Sequence, residues 1–250
     1  IYSLSLIFPF LWTLYNSFKT NQEFFAPGGV WSLPKRFVFE NYLKVWNQYK
    51  LVRYFINSIY VTVCGTILSV LSSSATAYVV SKYKFFGRNT LYTVAIAATL
   101  IPSVGTLAAL YKFMNITGLY DTHIGIILLY AGGLGMNFII LYGYFKGVSW
   151  SYAEAAFVDG ASDAQVFFKI MLPQAKPALG AVSIIQGINV WNDYFNPYMF
   201  LSSSDKYTLA VGLRQIVLEQ SYAADWPKMF AAMIISTVPI IIVYACFQNT

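Results

Sequence analysis

The chain has 250 residues, of which 58% are hydrophobic and only 10% are charged. An ordinary soluble domain has about 25% charged residues, so 16 basic and 10 acidic side chains are too few to cover a globule of this size. The composition therefore excludes a soluble enzyme, a disordered chain and a nucleic-acid binder, which needs Lys and Arg clustered on an exposed face. The net charge of +6 is spread thinly along the chain and says little about partners.

The positions of the charged residues predict membrane-spanning helices. A bilayer core about 30 Å thick needs roughly 20 apolar residues of helix, and five stretches of comparable length contain no charged residue. A sixth stretch contains Asp193 but is otherwise largely apolar and has polar flanks. We therefore predict a single all-α membrane domain over residues 1–250, whose natural N-terminus is missing because Ile1 lies inside an apolar run. The six predicted spans are 1–18, 54–80, 90–111, 124–145, 178–200 and 229–248.

Five polar segments separate the predicted spans. Regular alternation of six spans puts 19–53, 112–123 and 201–228 on one side of the membrane, and 81–89 and 146–177 on the other. Cytoplasmic loops usually carry an excess of Lys and Arg. Here the density of basic residues is nearly equal on the two sides, so charge alone leaves the orientation open.

The polar segment 151–177 has the pattern of a helix followed by a tight turn. Its residues Glu154, Ala155 and Ala156 favour a helix over 152–159, and Ser151 has the spacing to Glu154 of a capping box. Gly160, which can adopt positive φ, then ends the helix.

A second short helix is predicted after this turn. Ser162 or Asp163 can cap it, and it should end before Pro173, with Pro177 resetting the chain before the next span. The result is a helix–turn–helix outside the membrane, whose apolar side chains can contact the bilayer surface or the other helices. These apolar side chains are Phe157, Val158, Phe167, Phe168, Ile170 and Met171.

This stretch resembles the EAA loop of ABC-importer permeases, in the form found in carbohydrate importers. Two further segments agree: 118–122 is similar to the family's turn before the fourth span, and 191–194 is similar to its WN-[DE]-[FY] segment in the fifth span. The resemblance covers nearly the whole chain, and it is closest to the subunit type represented by the second maltose permease. The matching loop residues are Glu154, Ala155, Ala156, Asp159, Gly160, Ala161, Phe168, Ile170, Leu172, Pro173 and Pro177.

The resemblance implies an orientation and a set of partners. In that family the EAA loop is cytoplasmic and inserts a coupling helix into a cleft of the ATPase, so 81–89 and 146–177 would lie inside a bacterial inner membrane. The expected partners are a second homologous permease subunit, two ATPase subunits, an extracytoplasmic solute-binding protein and membrane lipid, with no nucleic acid. The expected coupling residues are Glu154, Ala155, Ala156, Asp159, Gly160 and Ala161.

The sequence predicts that the chain does not supply its own energy. It contains no G-x-x-x-x-G-K-[ST] loop to hold ATP phosphates. We therefore expect it to be no enzyme and to bind no cofactor, with ATP and Mg used by the partner ATPase. His123 is the only histidine, so we expect no metal site and no catalytic residue.

Polar residues recur through the predicted fifth span. Ser183, Gln186, Asn189, Asp193 and Asn196 are separated by three, three, four and three positions, which puts them on one helical face. Because polar groups in hydrocarbon are costly, this face should point to protein or water. It forms either a wall of the solute pathway or a tie between helices. The candidate pathway residues are Gln186, Asn189, Trp191, Asn192, Asp193 and Asn196.

The function predicted from these observations is a permease subunit of an ATP-driven importer that forms half of the pathway for a sugar or oligosaccharide. One alternative is an ABC permease for a polyol or glycerol-3-phosphate, although a phosphate should require basic residues that the predicted spans lack. An alternative from another class is a secondary transporter, for which Asp193 is the only candidate intramembrane acid. The sequence does not identify the sugar or its chain length.

Overall fold

The structure, a computed structural model, describes the backbone of residues 2–100 and 103–247. In these two ranges all regular structure is helical, so the coarse prediction of an all-α protein is confirmed. Short 3₁₀ turns occupy Ser103–Thr106 and Ser204–Lys206, and a π-helical turn occupies Phe167–Met171. The α-helices are α1 (Tyr2–Ser17), α2 (Asn21–Phe25), α3 (Glu40–Gln48), α4 (Leu51–Lys82), α5 (Arg88–Leu100), α6 (Leu107–Ile116), α7 (His123–Tyr130), α8 (Met136–Gly147), α9 (Ser151–Val158), α10 (Asp163–Val166), α11 (Leu172–Gln174), α12 (Lys176–Asn192), α13 (Phe195–Phe200), α14 (Leu209–Tyr222) and α15 (Trp226–Phe247).

The chain forms two compact units. The first comprises Ile1–Ser58 and Ser203–Thr250, and the second comprises Ile59–Ser202. In the first unit, α1, α3 and α14 pack against α15. An aromatic cluster fixes the start of α15, because the ring of Phe230 lies 5.1 Å from that of Trp12 and 5.7 Å from that of Phe24.

The core of the second unit is built around α8. Phe138, Leu141 and Phe145 step by three and four positions, which places them on one helical face, and all three are fully buried. Tyr78 of α4 packs edge-on against Phe145, with ring centroids 5.8 Å apart. This buried face holds together the helices from which the candidate site is built.

Three of the predicted spans correspond to continuous helices. The span predicted at 1–18 corresponds to α1, the span at 54–80 lies within α4, and the span at 229–248 corresponds to α15 as far as its described residues extend. Of the helices in the described ranges, α4 is the one that is both long and apolar enough to cross a bilayer by length and composition.

The other three predicted spans are interrupted, and their prediction as single helices is wrong. The span predicted at 124–145 divides into α7 and α8, because Gly132, Gly133 and Gly135 favour non-helical backbone between them. The span predicted at 178–200 divides into α12 and α13. For the span predicted at 90–111, α5 ends at Leu100 and α6 begins at Leu107, while residues 101–102 lie outside the described residues.

Three helices occupy segments predicted only as polar connections. They are α2 and α3 within 19–53, and α14 within 201–228. Thr20 caps α2, since its Oγ1 accepts a hydrogen bond of 3.1 Å from the Glu23 amide. A search for charge-free stretches does not detect such helices, because their apolar residues cover one face only.

Candidate coupling surface and polar helix break

The predicted helix–turn–helix is present as a hairpin over residues 151–174. Its first helix, α9, begins at Ser151, which is the first helical residue and does not cap the helix; the predicted capping box with Glu154 is therefore wrong. Gly160 follows with φ of 81°, in the left-handed region expected for the turn. Ser162 then caps α10, in a reciprocal capping box with Gln165.

The second half of the hairpin continues further than predicted. After α10 the backbone passes through the π-helical turn at Phe167–Met171 and then through α11. The prediction that the second helix ends before Pro173 is therefore wrong. Pro173 lies in the first turn of α11, directly after the π-helical turn, where the backbone already departs from the i→i−4 pattern that proline interrupts.

One side of the hairpin is buried in the core of the second unit. Ala153 and Ala156, three positions apart on α9, are 0% and 8% exposed. Val166, Phe167 and Met171 from the second half join the same core. The small alanine side chains allow α9 to lie close to this core, so Ala156 packs within its own chain.

The opposite side of α9 is exposed. Glu154, Ala155, Asp159 and Gly160 are exposed, and Ala161 is half-buried. Val158, predicted as an apolar contact, is 88% exposed instead. Of the six predicted coupling residues, four thus form a continuous outer face, which we call the α9 face.

Hydrogen bonds tether both ends of the hairpin to longer helices. The Tyr83 hydroxyl, directly after α4, donates to Asp163 Oδ1 at 2.6 Å, and the Tyr144 hydroxyl of α8 donates to the Gln174 carbonyl at 2.8 Å. The Lys82 ammonium donates to the carbonyl of Val148, just before the hairpin. Burial and the neighbouring Asp163 carboxylate raise the pKa of Tyr83, so its phenol remains a donor at neutral pH. These bonds connect the hairpin to α8 and to the end of α4.

A second polar site joins two of the interrupted spans of the same unit, those predicted at 124–145 and 178–200. Asp193 follows the last residue of α12 and has extended backbone. Its Oδ2 accepts hydrogen bonds of 2.7 Å from the hydroxyl of Tyr130, the last residue of α7, and from Asn196 Nδ2. Its Oδ1 accepts a 3.2 Å bond from the Asn196 amide. Both carboxylate oxygens are thus used within the chain, at the point where both helices are broken.

Further polar contacts surround these breaks. Asn137 Nδ2, near the start of α8, donates to Gln186 Oε1 at 2.9 Å and to Ser69 Oγ at 3.2 Å, linking α8 to α12 and α4. The Ser72 hydroxyl donates at 2.8 Å to the carbonyl of Ala131, the residue directly after α7. Intramembrane polar groups are stabilised by such internal partners.

The predicted pathway residues fall into two groups. Gln186, Asp193 and Asn196 are half-buried and bonded to neighbouring side chains, whereas Asn189 and Asn192 are exposed; Trp191 is half-buried. Because α12 ends at Asn192, the predicted stripe is not one continuous helical face.

Sequence reasoning missed Tyr130 and Asn137. Their partners lie 63 and 49 positions away in the sequence. No local motif marks such a pair, although the glycines between α7 and α8 indicate that the helix is interrupted near both.

A helical protein with polar residues at interrupted helices has the features of a membrane transport component, since such residues mark solute pathways or bind helices together. The chain belongs to the family described as binding-protein-dependent transport system inner membrane components, whose model matches residues 53–249. It is therefore a membrane-located permease component of an ABC importer, and not an enzyme.

The proteins that are similar to this chain align with all or nearly all of its length. It is 34% identical over 250 residues to the diacetylchitobiose uptake system permease protein NgcG of Streptomyces coelicolor, covering 100% of this chain and 82% of that protein. It is 29% identical to the arabinooligosaccharides transport system permease protein AraQ of Halalkalibacterium halodurans, covering 97% of this chain and 87% of that protein. A crystal structure of a bacterial ABC transporter involved in the import of the acidic polysaccharide alginate contains a similar chain. Its TM-score is 0.86 at 29% identity, with 99% of this chain and 91% of that chain covered.

Proposed function

We propose that this chain is one of two permease subunits of an ATP-driven importer and forms half of the pathway for a sugar or oligosaccharide. The similar permeases named above serve diacetylchitobiose and arabinooligosaccharides, and another, from Bacillus subtilis, serves galactooligosaccharides. The similar solved structure belongs to an importer of a polysaccharide. Carbohydrate is the substrate class that these relatives have in common.

The proposed topology has six spans across a bacterial inner membrane. Segments 81–89 and 146–177 lie in the cytoplasm, and the fourth and fifth spans are each made of two helices with a break between them. Non-helical backbone at membrane depth is tolerated where protein satisfies its polar groups. At the two breaks, the Ser72 hydroxyl is such a partner for the Ala131 carbonyl, and Asp193 Oδ1 is one for the Asn196 amide.

The observation that carries the coupling proposal is the combination of an exposed α9 face with a buried, tethered rear side. Glu154 and Ala155 are available to a cytoplasmic ATPase, while Ala153 and Ala156 are fixed in the core. The ATPase holds ATP and Mg, and this chain binds no cofactor. Helix α9 must be held rigidly by its own chain, because the energy from ATP has to cross a subunit boundary as motion.

The complete importer contains this chain, a second homologous permease subunit, two ATPase subunits and an extracytoplasmic solute-binding protein. The binding protein delivers solute, and closure of the ATPase pair moves the α9 face. The tethers to Tyr83 and Tyr144 then carry this motion to α4 and α8.

Within the pathway, we assign solute contact to the exposed amides of Asn189 and Asn192, next to the indole of Trp191. Amides can hydrogen-bond sugar hydroxyls, and an indole can stack on a sugar ring. We assign Gln186, Asp193 and Asn196 to holding the helices around the break, because their polar atoms already have partners within the chain.

The proposal is tested by uptake into proteoliposomes that contain the assembled transporter, with labelled chitooligosaccharides, arabinooligosaccharides and a polyol offered in parallel. We expect uptake of an oligosaccharide that requires both ATP and the binding protein. Uptake driven by an ion gradient without ATP would contradict the importer mechanism, and uptake confined to the polyol would contradict the carbohydrate assignment.

A further inference from the structure

The turn after α2 folds back along α1. We call residues 26–33 the Trp31 turn. The ring of Trp31 stacks on that of Phe8, with centroids 6.4 Å apart, and lies 6.2 Å from that of Trp12. Phe8 and Trp12 precede the end of α1 at Ser17 by nine and five residues, or roughly 13 and 7 Å of helix. The turn therefore lies beside the body of α1 rather than beyond its end.

A fully buried lysine binds the backbone of this turn. The Lys19 ammonium donates to the carbonyl of Gly29 at 2.6 Å, to the carbonyl of Ser32 and to Asn16 Oδ1 at 2.8 Å. Its Nζ also lies 4.8 Å from the centre of the Tyr15 ring. Burial lowers the pKa of Lys19, partly offset by Glu23. A buried lysine is uncommon unless it is paired, and here its ammonium replaces the water that would solvate two carbonyls.

Other carbonyls of the turn are also satisfied within the chain. The Val30 carbonyl accepts from Asn16 Nδ2 at 3.3 Å and from the Tyr15 hydroxyl at 3.4 Å. The Gly28 carbonyl accepts from the amides of Trp31 and Ser32, both at 3.1 Å. Water solvates the carbonyls of a loop that it can reach, whereas a loop in contact with hydrocarbon depends on hydrogen-bond partners within the protein.

The turn is compact because of one glycine. A Cβ on Gly29 would lie 2.1 Å from the Glu23 carbonyl oxygen, which no side chain can occupy. This close approach presses the turn against α2 and directs its apolar side chains outward.

The outer surface of the turn is apolar and continues the exposed surface of α1. Trp31 and Leu33 of the turn are 69% and 75% exposed, and Phe25 at the end of α2 is 58% exposed. The cationic residues Lys35 and Arg36 follow directly and are exposed as well. An aromatic and aliphatic tip next to basic side chains is the pattern of a segment at the membrane interface, where the rings enter the acyl region and the cations reach the lipid phosphates.

We infer that the Trp31 turn is a lipid anchor, embedded beside α1 in the outer leaflet of the membrane. Two observations select lipid as the occupant: the internal hydrogen-bond partners of the Gly28, Gly29, Val30 and Ser32 carbonyls, and the continuity of the turn's apolar surface with that of a membrane helix. The inference rests on α1 being a span, as in the proposed topology, and is independent of the solute and of the coupling mechanism.

The test uses the assembled transporter in vesicles of phosphatidylethanolamine and phosphatidylglycerol. A nitroxide is attached to Leu33→Cys in a background in which Cys64 and Cys246 are replaced by serine. Gln48→Cys, an exposed polar position on α3, is the matched control. Relaxation of the nitroxide by oxygen, which concentrates in hydrocarbon, is compared with relaxation by a water-soluble nickel complex.

We expect oxygen to relax position 33 more strongly than nickel does, and the order to be reversed at position 48. Stronger relaxation of position 33 by nickel would overturn the inference, and so would protection from both reagents, which would indicate a protein partner. Uptake is measured in the same vesicles. If the vesicles take up solute but position 33 is exposed to water, the lipid anchor alone is overturned. If position 33 is exposed to lipid but uptake is not driven by ATP, the result counts against the proposed function alone.

Discussion

The hairpin and the break between α12 and α13 both place polar residues at interrupted helices, but they use them in opposite ways. In the hairpin, Ala153 and Ala156 are buried while Glu154 is exposed. At the break, both oxygens of Asp193 accept hydrogen bonds from Tyr130 and Asn196.

We propose that this difference distinguishes a surface that binds a partner from a polar contact that links helices of the same chain. A side chain that is exposed on a rigid support is available to a partner protein, whereas one whose polar atoms are already bonded stabilises its own chain. Replacing the first kind should impair coupling and spare the fold. Replacing the second kind should impair the fold and affect transport only through it.

The largest effect is expected from Ala156→Trp. Ala156 is 8% exposed in a core that includes Phe167, so an indole there should cost about 3 kcal/mol or more through overpacking. We expect loss of the monodisperse peak in size-exclusion chromatography of the detergent-solubilised chain. A normal peak and melting temperature would show that α9 is not held by this core.

The matched change one position earlier should give the opposite result. Ala155→Trp places the same indole on the exposed α9 face, so the melting temperature of the chain should stay at the wild-type value. Because the indole blocks close approach of the ATPase, solute-stimulated ATP hydrolysis by the assembled complex should fall to its unstimulated level. Stimulation at the wild-type level would contradict the assignment of this face.

The next effect concerns charge on the same face. Glu154→Lys should weaken binding of the ATPase at least about tenfold, because it reverses a charge offered to basic residues of the partner. Co-purification of the ATPase with the tagged permease measures this loss, and Glu154→Gln should have a smaller effect. An unchanged ATPase yield with Glu154→Lys would remove Glu154 from the interface.

The order of local signals explains why the hairpin was largely predictable from the sequence. A helix-favouring start, the positive φ at Gly160 and the cap at Ser162 each depend on residues within a few positions. The continuation of helical backbone past Pro173 was not predicted, because a proline in a sequence marks the end of one helix or the start of another equally well.

The break was not predictable in the same way. The stripe from Gln186 to Asn196 was assigned to one face on the assumption of a continuous helix, and the extended backbone at Asp193 removes that register. The hydrogen bond from Tyr130 depends on how two helices that are distant in the sequence pack together. The spacing of residues along the chain does not predict such packing. The sequence left two interpretations of this stripe open, and the proposed function assigns Asn189 and Asn192 to one and Gln186, Asp193 and Asn196 to the other.

A smaller effect is expected at the Tyr130–Asp193 tie. Tyr130→Phe and Asp193→Asn should each lower stability, and the double variant should lose less than the sum, with a coupling free energy of about 1 kcal/mol. Thermal unfolding of the four proteins in one detergent measures this cycle. Strict additivity would mean that the 2.7 Å bond contributes nothing to the fold.

The smallest stability effects distinguish the two groups of polar residues on α12. Gln186→Ala removes one of the two acceptors of Asn137 Nδ2 and should lower stability by about 0.6 kcal/mol. Asn189→Ala, on an exposed side chain, should leave the melting temperature unchanged and raise the solute concentration needed for half-maximal uptake. If Asn189→Ala and Asn192→Ala spare uptake and lower stability instead, these amides are ties as well.

The central claim, that the α9 face is the contact with the ATPase, is tested most directly by labelling Ala155→Cys with a water-soluble maleimide. Inner-membrane vesicles are compared with and without bound ATPase, in the background lacking Cys64 and Cys246. Lys84→Cys, exposed in the other inner segment, reports whether the reagent reaches the cytoplasmic side. The account predicts that position 155 is labelled in stripped vesicles and protected when the ATPase is bound. Equal labelling of position 155 in both preparations, with uptake intact in the loaded vesicles, would contradict it.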